Sequence, residues 1–212
     1  MNLGMLLFPR LTQLDLTGPF EFLHRLPDAR VHLLWKDTRP VRAESGLLLT
    51  PTTPLDDCPP LDVLFVPGGF GQRALMTDET VLSFLREKGA SAKWVTSVCT
   101  GSLLLGAAGL LRGYQATTHW AYVDLLPSFG AEYVKQRVVV DRNRITGGGV
   151  TAGIDFGLRL AAELAGERVA KALQLGLEYD PEPPFRSGHP DVADPLLVEE
   201  VRARLAARES QG

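Results

Sequence analysis

Short apolar runs alternate with amphipathic stretches along this chain, and that alternation predicts an α/β fold. Residues 3–8, 31–35, 62–66 and 94–98 are predominantly apolar, as strands buried on both faces of a parallel sheet must be. Between them, residues 17–26 carry Phe20, Leu23 and Leu26 at helical spacing, and Pro27-Asp28 stops the run. Residues 77–88 read as a second helix, with Asp78 and Glu79 in a first turn where carboxylates suit the dipole. Residues 101–111 form an apolar helix directly after the strand at 94–98, while 47–50 suit a small hairpin or an edge. Residues 138–141 and 144–146 pair about a turn at 141–143. Gly147-Gly148-Gly149 then leads into helices at 151–164 and 167–178, as a tight turn or a strained connection. The architecture expected is a mostly parallel central sheet with helices on both faces and a site at the carboxyl rim of the strands.

Residues 179–195 break the pattern, with five prolines, several acidic residues and few apolar ones. They read as an extended surface arm, followed by a polar amphipathic helix near 195–208. Such a tail either lies on its own domain or crosses to a partner subunit. No repeat, low-complexity tract or long linker divides the chain, so residues 1–212 are expected to form one domain, with the arm and C-terminal helix at 179–209 as an appendage.

Composition narrows the function classes. The 22 Lys and Arg against 25 Asp and Glu give a net charge of -3, which argues against a nucleic-acid partner. The longest apolar run, 102–111, is far short of the ~18 residues that span a bilayer. The apolar start lacks the basic region and cleavage site of a signal peptide. Two cysteines, Cys58 and Cys99, make no disulfide framework. These features predict a cytoplasmic protein with reduced thiols.

The chemistry concentrates at Ser97-Val98-Cys99-Thr100-Gly101-Ser102, where a β-branched strand enters an apolar helix through a cysteine with small residues two positions away on either side. That spacing imitates the G-x-S-x-G nucleophile elbow, with cysteine as nucleophile. The turn is sharp, so bulk at the flanks would clash. A helix entry also places the thiol at the positive end of the dipole, which is expected to lower its pKa from about 8.5 toward neutrality. A free cysteine is otherwise often a small buried hydrophobe, as expected for Cys58 in its Pro-rich loop. Asp15, just beyond the first strand, falls on the same rim. It is either an acid/base group or the N-cap of the next helix, and spacing leaves both open. Pro67-Gly68-Gly69 ends another strand. The backbone N–H groups of Gly68 and Gly69, with that of Thr100, would suit an oxyanion pocket, or simply a tight turn. His119 alone among the four histidines stands between a strand and a helix. The four do not cluster at ligand spacing, which argues against a metal site, and no phosphate-cradling motif implies a cofactor. His119, Trp120, Tyr122 and Phe70 are candidates for a substrate pocket, and the three aromatics are otherwise core residues.

The elbow, the Pro67-Gly68-Gly69 turn, Ala116-Thr117-Thr118-His119-Trp120 and the run Gly147 to Asp155 together resemble the ThiJ/PfpI superfamily. The resemblance covers nearly the whole chain and implies the flavodoxin-like, class I glutamine amidotransferase-like fold. Within that superfamily the chain is most similar to the isocyanide (isonitrile) hydratases, on three features: Leu14-Asp15-Leu16-Thr17-Gly18-Pro19, Cys99 followed by Thr100, and Glu178-Tyr179 leading to Pro184-Phe185. The resemblance implies a cofactor-free homodimer that converts an isocyanide to an N-substituted formamide, with Cys99 as nucleophile and Asp15 as acid/base. A thioimidate on Cys99 would be the intermediate, with Thr100, Gly68 and Gly69 steadying it.

Sister groups fit less well. Peptidase-like members place a histidine directly after the cysteine, where Thr100 stands here. A glutaminase triad needs a late His-x-Glu, and the nearest equivalent is His189-Pro190-Asp191 in the arm. Glyoxalase and deglycase members resemble this chain with Glu in place of Asp15. Sensor domains of AraC-type regulators are also very similar, but continue into a DNA-binding region. A stand-alone sensor or redox module is therefore the alternative expectation, and it needs a pocket but no general acid.

Overall fold

The computed structural model describes residues 1–210 of the chain, so the last two residues of the expected domain lie outside the described part. Seven strands form the main sheet: β1 (Asn2–Leu6), β2 (Arg30–Trp35), β3 (Thr53–Pro54), β4 (Val63–Val66), β5 (Trp94–Val98), β6 (Val138–Asp141) and β7 (Arg144–Gly147). Their order is β6-β7-β5-β4-β1-β2-β3. Neighbours run parallel throughout except β6 with β7, an antiparallel hairpin turned at residues 142–143. The two central strands are buried along nearly all their length, β4 on all four residues and β1 on all but Asn2, which explains their unbroken apolar sequence.

The described residues form six main helices: α1 (Gln13–Leu23), α2 (Glu79–Ser91), α3 (Gly101–Ala107), α4 (Ala152–Ala165), α5 (Glu167–Gly176) and α6 (Pro195–Ser210). One group packs α1 on α4 and α4 on α5, and the other packs α3 with α2 and with the 3-10 helix Trp120–Phe129. The buried apolar side chains form one continuous cluster around the sheet. Among the described residues, no helix is long and apolar enough to cross a membrane.

Several boundaries differ from expectation for local reasons. α1 starts at Gln13 rather than 17, which places Pro19 in the helix interior. This moves Asp15 from the connecting loop into the first helical turn. Its N-cap is Thr12, so capping is not what Asp15 does. Asp78 caps α2 through its side chain, accepting from the Val81 N–H at 3.3 Å, instead of sitting inside the first turn. α3 stops at Ala107, four residues early. Gly109 adopts φ +79°, and the N–H groups of Leu110 and Gly109 donate to the carbonyls of Leu105 and Gly106, which closes the helix as a Schellman motif. The strand at 47–50 is a hairpin piece, Leu48–Leu49 paired with Val41–Arg42. The C-terminal helix is started by Asp194, whose carboxylate accepts from the N–H groups of Leu196 and Leu197, with Pro195 at the first helical position.

The registers bring the carboxyl ends of β1, β4, β5 and β7 to one rim. Val66 stands beside Ser97, and Val98 beside Gly147. Gly101 is what lets α3 leave β5 so close to β4, since a Cβ there would lie 2.2 Å from the Val66 carbonyl oxygen and 2.7 Å from that of Pro67. Both are backbone atoms that cannot swing aside. Gly101→Ala is therefore expected to lower stability in urea unfolding by at least about 3 kcal/mol, at the upper end for overpacking. A loss below about 1 kcal/mol would mean that the rim is more yielding than this.

Candidate active site

Cys99 occupies the turn between β5 and α3 with φ +56°, a left-handed conformation that a non-glycine residue adopts at a cost of about 1–3 kcal/mol. Four contacts hold it there. Its N–H donates to the carbonyls of Gly147 (3.0 Å) and Gly148 (2.8 Å) at the end of β7. Its carbonyl accepts from the hydroxyls of Thr118 (2.9 Å) and Ser102 (3.1 Å). The elbow expected from the small flanking residues is present, and three separate segments brace it.

Asp15 reaches the same place from α1. The residue has no exposed surface. Its Oδ2 accepts the Gly68 N–H at 2.9 Å, and the carboxyl group faces the Cys99 thiol. Burial pushes its carboxyl up to about 7, against the opposing pull of the Gly68 N–H and of Cys99. Burial likewise pushes the Cys99 thiol well above its ordinary value, and the charge of Asp15 pushes it further; the N–H groups of Thr100 and Val150 pull it down by less. The expected lowering by the helix dipole is thus overturned. α3 is only seven residues long, and the thiol is buried beside a carboxylate. The two groups form a buried pair that competes for protons.

Thr100, also buried, accepts the Gly69 N–H on its hydroxyl at 3.0 Å. The N–H groups of Gly68 and Gly69 are therefore spoken for, and an oxyanion role for them gives way to positioning Asp15 and Thr100. Their glycine identity follows from crowding. A Cβ on Gly68 would lie 2.6 Å from the Thr100 nitrogen and 2.8 Å from Asp15 Oδ2. Gly69 has φ +132°, and a Cβ there would be 2.4 Å from the Thr12 nitrogen.

A cavity of about 150 Å³ opens over Cys99 and Thr100. Phe70, Tyr122 and His119 line it as expected. His119 Nδ1 accepts the Ala121 N–H at 3.2 Å, which leaves the proton on Nε2. Burial holds the imidazole down at about 4, so the ring is neutral. The ring packs on Gly149, where a Cβ would come within 2.9 Å of Cδ2. Gly149 thus makes room for His119, and none of Gly147, Gly148 and Gly149 has a positive φ. Trp120 does not line this cavity. Its ring lies under the Arg202 guanidinium, 4.9 Å from the centroid, and faces a neighbouring cleft with His189.

The wall opposite the apolar side was not foreseen. Glu44 arrives from the small hairpin, with Oε1 accepting the Thr12 hydroxyl at 3.1 Å. Leu205, Arg208 and Glu209 arrive from α6. Within the chain the arm is tied to the domain by Lys135, which pairs with Asp191 at 2.7 Å. The i, i+3, i+4 spacing of Leu205, Arg208 and Glu209 was the available sign of one inward face. Nothing local marked Glu44. Among the described residues, no three His, Cys, Asp or Glu side chains are grouped to hold a metal ion. Cys58 is a buried free thiol away from this site.

Comparison with known proteins agrees with this geometry. The model of the DJ-1/PfpI family matches residues 2–163. Over 206 residues the chain is 60% identical to an isonitrile hydratase of Pseudomonas putida, covering 97% of this chain and 90% of that protein. It is 33% identical to the HTH-type transcriptional regulator GbdR of Pseudomonas aeruginosa (strain UCBPP-PA14), over 84% of this chain but 51% of the regulator. The crystal structure of a ThiJ/PfpI family protein from Pseudomonas syringae matches with a TM-score of 0.95 at 44% identity, covering 99% of this chain and 87% of that one.

The Asp15 pKa makes a stability prediction. Between the ordinary carboxyl value of 3.8 and about 7, the folded chain keeps a proton that the unfolded chain releases, so stability falls as pH rises through that window. Asp15→Asn should therefore unfold several degrees higher than the unaltered protein at pH 8, with the advantage shrinking toward pH 4. A difference in Tm that does not change with pH would contradict the buried charge.

Proposed function

Because the chain belongs to the DJ-1/PfpI family and matches an isonitrile hydratase along nearly its whole length, we infer that it is an isocyanide hydratase, adding water to an isocyanide to give an N-substituted formamide. The observation that carries the chemistry is the buried Cys99–Asp15 pair without a histidine base in contact with the thiol. Isocyanide hydration expels no amine. A histidine to protonate a leaving group is not required.

The reaction follows from the pair. At the pH where the two groups share one proton, Asp15 takes it from the thiol as sulfur attacks the terminal isocyanide carbon. Asp15 then delivers the same proton to that carbon, and the result is a thioimidate, R–N=CH–S–Cys99. Water adds to the thioimidate carbon, with Asp15 accepting a water proton and passing it to nitrogen. The tetrahedral adduct collapses as the C–S bond breaks and the carbonyl forms, and the hydroxyl proton returns to sulfur. The sum is one isocyanide plus one water, giving one formamide. The N–H groups of Thr100 and Val150, which face the sulfur, stabilise it as a thiolate when it attacks and when it leaves. Thr100 is held for this by the Gly69 N–H. Phe70, Tyr122 and neutral His119 receive the substituent.

All proton transfers run among Cys99, Asp15 and water, so the cycle calls for no cofactor. The free cysteines support a cytoplasmic location, and resemblance supports a homodimer. The acidic net charge weighs against a nucleic-acid partner. Likeness to the regulator GbdR favours one second reading, a ligand sensor built on the same pocket. In that case Asp15→Asn would leave ligand affinity nearly unchanged.

Turnover of an aryl isocyanide, followed as formamide, tests these roles. Cys99→Ala should lose at least about 10³-fold in kcat, since the covalent route disappears. A loss under tenfold would rule that route out. Asp15→Asn should lose about 10²–10⁴-fold, the usual range for general acid–base catalysis. In the unaltered protein kcat/KM should rise with pH through about 7, as the doubly protonated pair loses its first proton. A flat profile between pH 5 and 9 would exclude Asp15 as the shuttle.

A further inference from the structure

The family match ends at residue 163, yet the cavity over Cys99 is completed by a helix some forty residues further on. Leu205, Arg208 and Glu209 of α6 line it together with Phe70 and Tyr122. Three contacts clasp this end of α6 to the rim. The Arg208 guanidinium stacks on the Phe70 ring, 4.8 Å from its centroid. The same group lies 3.8 Å from Glu44 Oε2, a buried oxygen with no hydrogen-bond partner. The carbonyl of Arg208 accepts from the Arg10 guanidinium at 3.2 Å, across 198 residues of sequence. Arg10 itself holds φ +62° in the loop after β1, and its N–H and carbonyl are both bonded, to Arg42 and Gly71. Near the middle of the same helix, Arg202 stacks on Trp120.

The nucleophile and its carboxylate thus belong to the matched domain, while closure of the pocket belongs to the segment beyond it. Leu205 is the apolar side chain that α6 presents to the cavity. The structure assigns α6 as the selectivity wall of the active site: Leu205 limits the size of the group carried into the pocket, and the Arg208 clasp with Glu44 and Phe70 fixes how near that wall stands. The inference rests on the hydratase reading for its substrate class, isocyanides, which differ from one another only in the substituent on nitrogen. It concerns which substituent is admitted and leaves the chemistry at carbon untouched. Leu205 and Arg208 are specificity-determining and positioning residues; neither takes part in proton transfer.

The wall is tested by ratios, which a general loss of stability or rate does not move. Methyl isocyanide and 2-naphthyl isocyanide are compared as substrates of the unaltered protein, Leu205→Ala, Leu205→Trp and Arg208→Gln. Leu205→Ala and Arg208→Gln should raise the naphthyl-to-methyl ratio of kcat/KM at least fivefold, and Leu205→Trp should lower it at least fivefold. Ratios that stay within fivefold in all three variants would overturn the assignment. Alkylation of Cys99 by iodoacetamide and by N-pyrenylmaleimide, mapped by peptide mass, gives the same ratio without turnover. If the unaltered protein hydrates neither isocyanide, the hydratase reading fails and the alkylation ratios alone decide for or against the wall, on the same fivefold criterion.

Discussion

A carboxyl group with no exposed surface, held by one backbone N–H against a buried thiol, is the contact on which the rest of this structure depends. Such a group is costly to bury charged, and the chain accommodates it by sharing a proton with Cys99. The surrounding elements are arranged around that pair. α1 begins early enough to bring Asp15 inward, β4 ends in glycines that clear space for it, and β5 ends in a strained turn that faces the thiol toward it. The cost of the turn at Cys99 is offset by hydrogen bonds from β7, Thr118 and Ser102, all of which fall outside the elbow's own strand.

The pair also explains why elevated pKa values suit this chemistry better than a permanently activated thiolate. An exposed thiolate at a helix N-terminus would attack readily but would have no proton to give to the carbon it attacks. A thiol and carboxyl that together hold one proton supply the nucleophile and the acid in a single step. The neutral histidine above them is consistent with that division, since a charged imidazole there would favour the unproductive double anion.

Much of this was legible in the sequence, for identifiable reasons. The strands at 62–66 and 94–98 are short apolar runs bounded by breakers, and they were recovered to within a residue. Cys99 was marked by its small neighbours, and Asp15 by its place at the rim. The direction of the Cys99 pKa shift was not legible, because burial and the opposing carboxylate depend on α1 folding over the turn from far away in sequence. Nor was the use of the Gly68 and Gly69 N–H groups: glycine permits a backbone donor to approach, but only the fold says what it meets. Trp120 was placed in the pocket on aromatic character alone, whereas its ring is occupied by Arg202. Glu44 and Arg208 meet only after the small hairpin and α6 converge, and no local pattern joins residues that distant.

The measurement that bears most directly on the buried pair is rapid-quench mass spectrometry of the protein mixed with excess aryl isocyanide. A transient adduct on the peptide containing Cys99, heavier by the mass of one substrate molecule, is the predicted result, and it should decay at the rate at which formamide appears. Steady turnover with no adduct on Cys99 at any quench time, or an adduct that outlives many turnovers, would contradict covalent hydration by the Cys99–Asp15 pair.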